Sequence, residues 1–302
     1  GEILERITPP DPGSRLVLAR HHERAGRRRE AVSTLEKALS SAAPPLRAEI
    51  LECMARLYEG LGETEKAVDA AVVLVSALPP RRRPAAAAAF VARAHASRRP
   101  ADGMLFLRAL RRRLGPGAAV SFAEGEFAWL GGELFAAHRA FGAYVQLSPG
   151  DPEGRLRLAE AARQLGRAEE AEFHASAAVR LSPADTRARL LLAELRAEAG
   201  AKDLAVEEMR LVLGSRPADI ALRRRAGSLL RELGRLDELV ALWRGVVVRD
   251  ESNAAAHEEL ARAYAECGEF ELAGAHVARA LALDPRSVGA RELIEKYGLG
   301  EP

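Results

Sequence analysis

One spacing constrains this chain more than any other. Gly132, Gly166, Gly200, Gly234 and Gly268 recur every 34 residues. Pro149, Pro183 and Pro217 keep the same interval, and Pro285 lies two periods beyond Pro217. Ala137, Ala171, Ala205 and Ala273 form a third column, with Leu239 in the remaining slot. Three registered columns over five periods mark a repeat array, in which each unit buries its apolar side against its neighbours. The phase starts units near residues 118, 152, 186, 220 and 254 and, with two longer spacings of 36, near 84, 48 and 12. Gly26, Ala31 and Ala38 mark the first unit, and Gly62, Ala67 and Pro79 the second.

Each unit reads as two helices. Arg155 to Leu165 and Glu169 to Leu181 carry apolar residues at helical spacing and no internal proline. Gly166 ends the first helix, where a left-handed residue is needed, and Pro183 follows the second, where a helix cannot easily continue. Small residues recur at the eighth position of the unit: Ala19, Ala55, Gly125, Ala159, Ala193, Gly227 and Ala261, with Val91 the one bulkier occupant. A small side chain there lets paired helices approach; a larger one would overpack the crossing at a cost of about 1–3 kcal/mol. Aromatics are 5% of the chain, low for a β-sandwich or barrel.

The clearest repeats are LAEAARQLGRAEEA from Leu158 to Ala171 and LARAYAECGEFELA from Leu260 to Ala273, the latter unit closing with ALALDP at Pro285. This pattern resembles the tetratricopeptide repeat over roughly residues 12–287. The resemblance implies an all-α fold: a right-handed α-solenoid superhelix of about eight helix–turn–helix units. Residues 1–11 are a lead-in, Pro-rich from Thr8 to Gly13, with a short helical turn expected over residues 2–7. Residues 288–297 read as a capping helix, followed by a tail to residue 302. The third unit departs from the pattern, with Arg98 for Gly, Gly103 for Ala and Gly115 for Pro; the seventh has Leu239 and Glu251 at the Ala and Pro positions.

Several classes of activity find no support. Lys+Arg number 45 against 43 Asp+Glu, so the net charge of +2 argues against a dedicated nucleic-acid binder. No apolar run approaches the length of a membrane span and no leader is visible; because the chain opens on Gly1 rather than Met, we expect an excised segment or a tag scar there. Cys53 and Cys267 lie too far apart for a metal spacing or a disulfide framework, and read as inert thiols inside helices. There is no phosphate-binding glycine loop and no nucleophile elbow. The seven histidines, His21, His22, His95, His138, His174, His257 and His276, make no HExxH pair and read as surface or packing residues. We therefore expect a non-enzyme without metal or cofactor, in the cytoplasm of a bacterium, or in the periplasm if a leader was removed.

Charge is unevenly placed. Residues 1–117 hold 21 Lys+Arg and 13 Asp+Glu, a net of +8, while residues 118–302 hold a net of −6. Most of the excess falls in residues 79–117: Arg81, Arg82, Arg83, Arg93, Arg98, Arg99, Arg108, Arg111, Arg112 and Arg113 face Asp102 alone. This stretch reads as a solvated face in an arginine-biased chain, as a docking patch for an acidic protein surface or, as the remaining alternative, as a contact for nucleic acid or an anionic membrane.

In the family that the repeats resemble, the first helix of each unit lines a concave channel. Positions two, five, nine and twelve share one side of that helix. The resemblance thus implies a groove with apolar anchors Phe122, Leu156 and Leu190, an acidic stripe of Glu126, Glu160 and Glu194, and Trp129 and Arg163 beside them. Its C-terminal shoulder carries Arg224, Arg225, Arg231 and Arg262, with Ser228 between. The partner expected there is a protein or peptide, an amphipathic or basic segment laid on the anchors. Asn253 is the sole asparagine, which excludes the paired-asparagine clamp that grips chaperone tails. The expected function is a non-catalytic scaffold or adaptor; the alternative is the interaction domain of a larger enzyme or regulator whose output domain lies outside this chain.

Overall fold

A computed structural model describes residues 11–215 and 219–299. The helical turn expected over residues 2–7, most of the lead-in, Pro217, Gly300 and Pro302 lie outside them. Among the described residues the chain is all-α, with seventeen α-helices, one 3-10 turn and no strand.

The helices pair in sequence as hairpins. They are α1 (Pro12–Arg24) with α2 (Arg28–Leu39), α3 (Pro44–Leu61) with α4 (Thr64–Ala77), and α5 (Arg83–Ala96) with α6 (Pro100–Leu114). There follow α7 (Ala118–Leu130) with α8 (Leu134–Leu147), α9 (Pro152–Gln164) with α10 (Ala168–Leu181), and α11 (Thr186–Glu198) with α12 (Lys202–Ser215). The last pairs are α13 (Ile220–Glu232) with α14 (Leu236–Val247) and α15 (Ala254–Glu266) with α16 (Phe270–Leu283), after which α17 (Val288–Tyr297) stands alone. The 3-10 turn, Pro80–Arg82, leads into α5. The first helices begin at or within a few residues of the expected unit starts.

Start and stop signals explain the regularity. The glycine column occupies the turn inside each hairpin, and every one of its members is left-handed, from φ 71° at Gly234 to 81° at Gly268. The residue after each glycine closes the turn, as when Glu133 N–H donates to the Ala128 carbonyl at 2.8 Å. A column that the sequence reading did not use marks the starts: Asp151, Asp185, Asp219, Asn253 and Ser287 cap successive first helices with their side-chain oxygens. The lone asparagine is thus a helix cap.

The eighth-position residues are buried at the crossings, Ala159, Ala193 and Ala261 at 0% exposure. Gly125 shows why nothing larger fits: a Cβ there would lie 2.5 Å from the Phe141 ring of the paired helix.

The chain forms two compact bodies, Gly1–Leu181 and Ser182–Pro302. In the first, one core gathers Leu35, Ile50, Phe90, Phe106 and Leu110, and a second surrounds Phe122, Phe141 and Tyr144. The other body has a single core around Met209, Leu239, Trp243 and Leu260. Ala290 and Leu293 of α17 are buried in it, as a cap on the last hairpin requires.

Both departures from the repeat change the packing. In the third unit α5 packs more extensively on α7 than on its own partner α6. In the seventh, Leu239 fills the place of a small residue and is fully buried. Leu239 and Trp243 crowd Gly227, each within 3.2 Å of where its Cβ would be. The α13–α14 hairpin is correspondingly the least extensively packed among the described residues.

Candidate functional site

The expected apolar anchors do not face an open channel. Phe122 is 5% exposed, Leu156 0% and Leu190 7%. The register put these three residues on the groove side of their helices, and the packing buries them. Phe122 turns into its own hairpin, its ring 5.7 Å from Phe141 and 4.8 Å from Tyr144. Leu190 belongs to the core of its body. These three side chains hold the units together and offer a ligand no surface.

The acidic stripe is also engaged. Glu126 is buried, and Arg157 of the following unit lies against it, Nε to Oε1 at 2.9 Å. The same guanidinium reaches Glu160 at 3.1 Å and Glu153 at 3.3 Å. In the second body Arg225 Nε donates to Glu194 at 2.6 Å. Glu126–Arg157 and Glu194–Arg225 share one separation, 31 residues, so a ninth-position Glu meets a sixth-position Arg of the next unit. That regularity was readable in the sequence, and it accounts for the carboxylates without a ligand. The expected basic shoulder is paired likewise: Arg224 with Glu259 at 3.3 Å, Arg231 with Glu266 at 2.7 Å, and Arg262 with Glu258 and Glu259 at 3.0 and 2.9 Å. Ser228 is exposed, and Trp129 and Arg163 are half-buried on the same helices.

The Arg-rich hairpin behaves differently. Four of its arginines have internal work. Arg83 donates to the Leu78 and Ser76 carbonyls at 2.9 and 3.0 Å, and Arg93 pairs with Glu59 at 3.2 Å. Arg99 donates to the Glu59 carbonyl at 3.0 Å, and Arg111 pairs with Glu124 at 2.8 Å. The guanidinium groups of Arg81, Arg82, Arg98, Arg108, Arg112 and Arg113 have no ion pair or hydrogen bond among the described residues, and all six residues are exposed. Arg108 and Arg112 lie one turn apart on α6, on the stripe that also exposes Met104 and Leu105 at 43% and 44%. These two apolar residues escaped the sequence reading, which counted charge alone there. Arg98 stands in the glycine column and is the one non-glycine left-handed residue among those described, at φ 56°.

The polar residues elsewhere are structural. Within three hairpins the two helices are tied at equivalent positions: Arg155 to His174 at 3.1 Å, Arg189 to Glu208 at 2.6 Å, and His257 to His276 at 2.9 Å. Burial, followed by the charge of Arg155, depresses the pKa of His174. Burial, then His257 and Arg244, depresses that of His276. Cys53 is buried as expected. Cys267 corrects the sequence reading: it caps α15 rather than lying inside it, and is exposed. Burial, then the charges of Asp237, Glu266 and Glu269, raises its pKa, which opposes thiolate formation. No group of three potential metal ligands occurs among the described residues. Nor is any described helix long and apolar enough to cross a membrane.

A tetratricopeptide-repeat profile matches residues 135–185, 156–220 and 224–288, and a second one matches residues 14–49. The first alone spans half of the sequence, and with these helical hairpins the chain belongs to the tetratricopeptide repeat family. Solved structures of similar fold include the MamA protein, at 17% identity and a TM-score of 0.47, covering 61% of this chain and 97% of that one. YrrB, a tetratricopeptide-repeat protein with an unusual peptide-binding site, is 16% identical with a TM-score of 0.48, covering 63% and 97%. A tetratricopeptide-repeat protein from Parabacteroides merdae ATCC 43184 is 15% identical with a TM-score of 0.45, covering 94% and 97%. No curated protein matches the chain.

Proposed function

We propose that this chain is a non-catalytic protein-interaction scaffold that docks an acidic partner surface on its third hairpin. Membership of the repeat family supports the scaffold. The observation that carries the docking surface is the set of six arginines without a partner among the described residues, Arg81, Arg82, Arg98, Arg108, Arg112 and Arg113, with Arg108 and Arg112 on the stripe that exposes Met104 and Leu105. Arginine presents a planar fork that matches a carboxylate, and unpaired cations steer an acidic partner to the surface. Met104 and Leu105 supply apolar area that charge alone would not. The left-handed Arg98 supports the same reading: where seven other units have glycine, this one keeps a guanidinium at a backbone cost of about 1 kcal/mol.

The test is partner capture by wild-type chain and by Arg108→Glu/Arg112→Glu/Arg113→Glu at two salt concentrations, with bound proteins identified by mass spectrometry. The variant should stay helical and lose acidic partners at low salt, with the difference shrinking as salt rises. Equal capture at low salt would return the hairpin to a solvated face.

A second reading keeps the first-helix face as a binding surface, now without its apolar anchors. Within the first body it rests on Trp129, half-buried with no hydrogen bond to its indole N–H among the described residues. Truncating Trp129 to Ala should then weaken a partner that survives the triple Arg reversal.

A further inference from the structure

A cavity of about 680 Å³ opens beside the 3-10 turn of the Arg-rich unit, within the first body. Its size matches a cleft for several residues of an extended segment; ligand clefts run to about 300–1,000 Å³. Pro80, Pro84, Ala118, Leu147 and Pro152 give it apolar walls. Leu147 stands 57% exposed there.

The polar groups of the cavity are unequal. Asp151 lines it, but both carboxylate oxygens are committed: the Tyr144 hydroxyl donates to Oδ2, and the Glu153 N–H donates to Oδ1 at 3.0 Å. Those two hydrogen bonds hold the carboxylate against the Tyr144 side of the cavity. Arg81 also lines the cavity, and it is one of the six arginines without a partner. Arg81 is therefore the cationic group of a lining that also carries the Asp151 carboxylate. Arg82 follows Arg81, and α6 ends in Arg111, Arg112 and Arg113 just before Ala118 of the wall, so the approach is basic as well.

The wall is preformed. The Tyr144 ring is buried against Phe122 at 4.8 Å, and a Cβ at position 154 would lie 2.4 Å from that ring, so Gly154 is what admits it. A pocket whose shape is set before binding loses less entropy on occupation.

We propose that this cavity is the anchor pocket of the docking surface. It takes a large apolar side chain of an extended protein segment, with a neighbouring carboxylate of that segment on Arg81. This rests on the docking function proposed above and adds the chemistry of the anchor. A nucleic acid fits less well, because the Tyr144 face is buried and no other aromatic lines the cavity for base stacking.

The probe is a short capped peptide alternating glutamate and leucine, titrated to millimolar concentration into the whole chain and followed by methyl NMR. A lysine–leucine peptide serves as the control. The acidic peptide should shift the Leu147 methyl signals, and the basic one should not. Arg81→Ser and Leu147→Ser alter exposed side chains and should leave the fold intact; each should weaken the acidic peptide about tenfold, the equivalent of about 1.4 kcal/mol. Equal binding by wild type and both variants overturns the proposal, as does preference for the basic peptide. Binding to phosphatidylserine vesicles that Arg81→Ser abolishes, without any peptide binding, also overturns it and assigns the surface to lipid. Failure of the docking function itself reads out separately, as unaltered partner capture by the Arg108, Arg112 and Arg113 reversals.

Discussion

The third hairpin of the first body and the two that follow it are built on one repeat and differ in how they use charge. Between Ala118 and Leu181 the sequence keeps the repeat: Gly125 and Ala159 at the crossings, Gly132 and Gly166 at the turns, Asp151 at a cap. There Arg157 is shared among Glu126, Glu153 and Glu160. In residues 79–117 the pattern decays, with Arg98 in the turn and six guanidinium groups unanswered. The regular hairpins consume their charges in joining units; the irregular one leaves its charges available. Departure from the repeat is thus the better guide to a surface that meets something else.

The largest test of that contrast is Arg157→Ala. It removes one salt-bridge partner of Glu126, whose side chain is only 6% exposed, and should destabilise the chain by about 3 kcal/mol in chemical denaturation. Arg112→Ala in the third hairpin should stay within about 0.5 kcal/mol of wild type. Similar losses for both would erase the distinction.

Gly125→Ala comes next. The added methyl meets the Phe141 ring and should cost about 1–3 kcal/mol by overpacking. The third hairpin already holds Val91 at this position, 1% exposed, so its crossing has adapted to bulk. An unchanged melting temperature for Gly125→Ala would show that the close approach is not fixed.

Arg98→Gly runs in the opposite direction. Removing a left-handed side chain should raise stability by about 1 kcal/mol, bringing the third turn to the glycine standard of the others. A gain in melting temperature with weaker partner capture would link the strained residue to docking. A loss of stability would mean that Arg98 holds the turn by contacts outweighing its strain.

The smallest effect is on pH. His174 and His276 have folded pKa values below their ordinary 6.5, so the fold favours their neutral forms. The unfolded chain takes up protons first as pH falls through 6.5, and stability declines until the folded pKa values are passed. Denaturation midpoints should therefore drop modestly from pH 7 to pH 5. A His174→Gln/His276→Gln variant should show a flatter profile; an identical profile would place the titrating groups elsewhere.

The fold was legible because its signals are local and repeat. Left-handed glycines and small crossing residues need only a register to be recognised, and the first helices begin at or within four residues of where that register put them. The groove was not legible for a physical reason. Periodicity says which residues share a helix face, but exposure depends on how closely the neighbouring helix covers it. Phe122, Leu156 and Leu190 share a register that reads as open, and the packing closes over them. Nor does composition say which charges are spent. Arg157 and Arg112 look alike in sequence; one is held by three carboxylates, and the other by nothing among the described residues. The cavity at Leu147 joins segments from residues 80 to 152, beyond the reach of any spacing rule.

The 34-residue register also has a genetic consequence. Helix starts at Asp151, Asp185, Asp219, Asn253 and Ser287 and stops at Gly166, Gly200, Gly234 and Gly268 all advance by one period. A tandem duplication of one whole period within residues 118–287 keeps caps, turns and crossings in phase, wherever inside a unit the breakpoints fall. An in-frame insertion inside a helix that is not a whole number of periods shifts the following turn out of register. The spacings of 36 upstream break this symmetry. The C-terminal part of the chain can therefore gain a unit without losing its register, while the longer upstream units do not share that register.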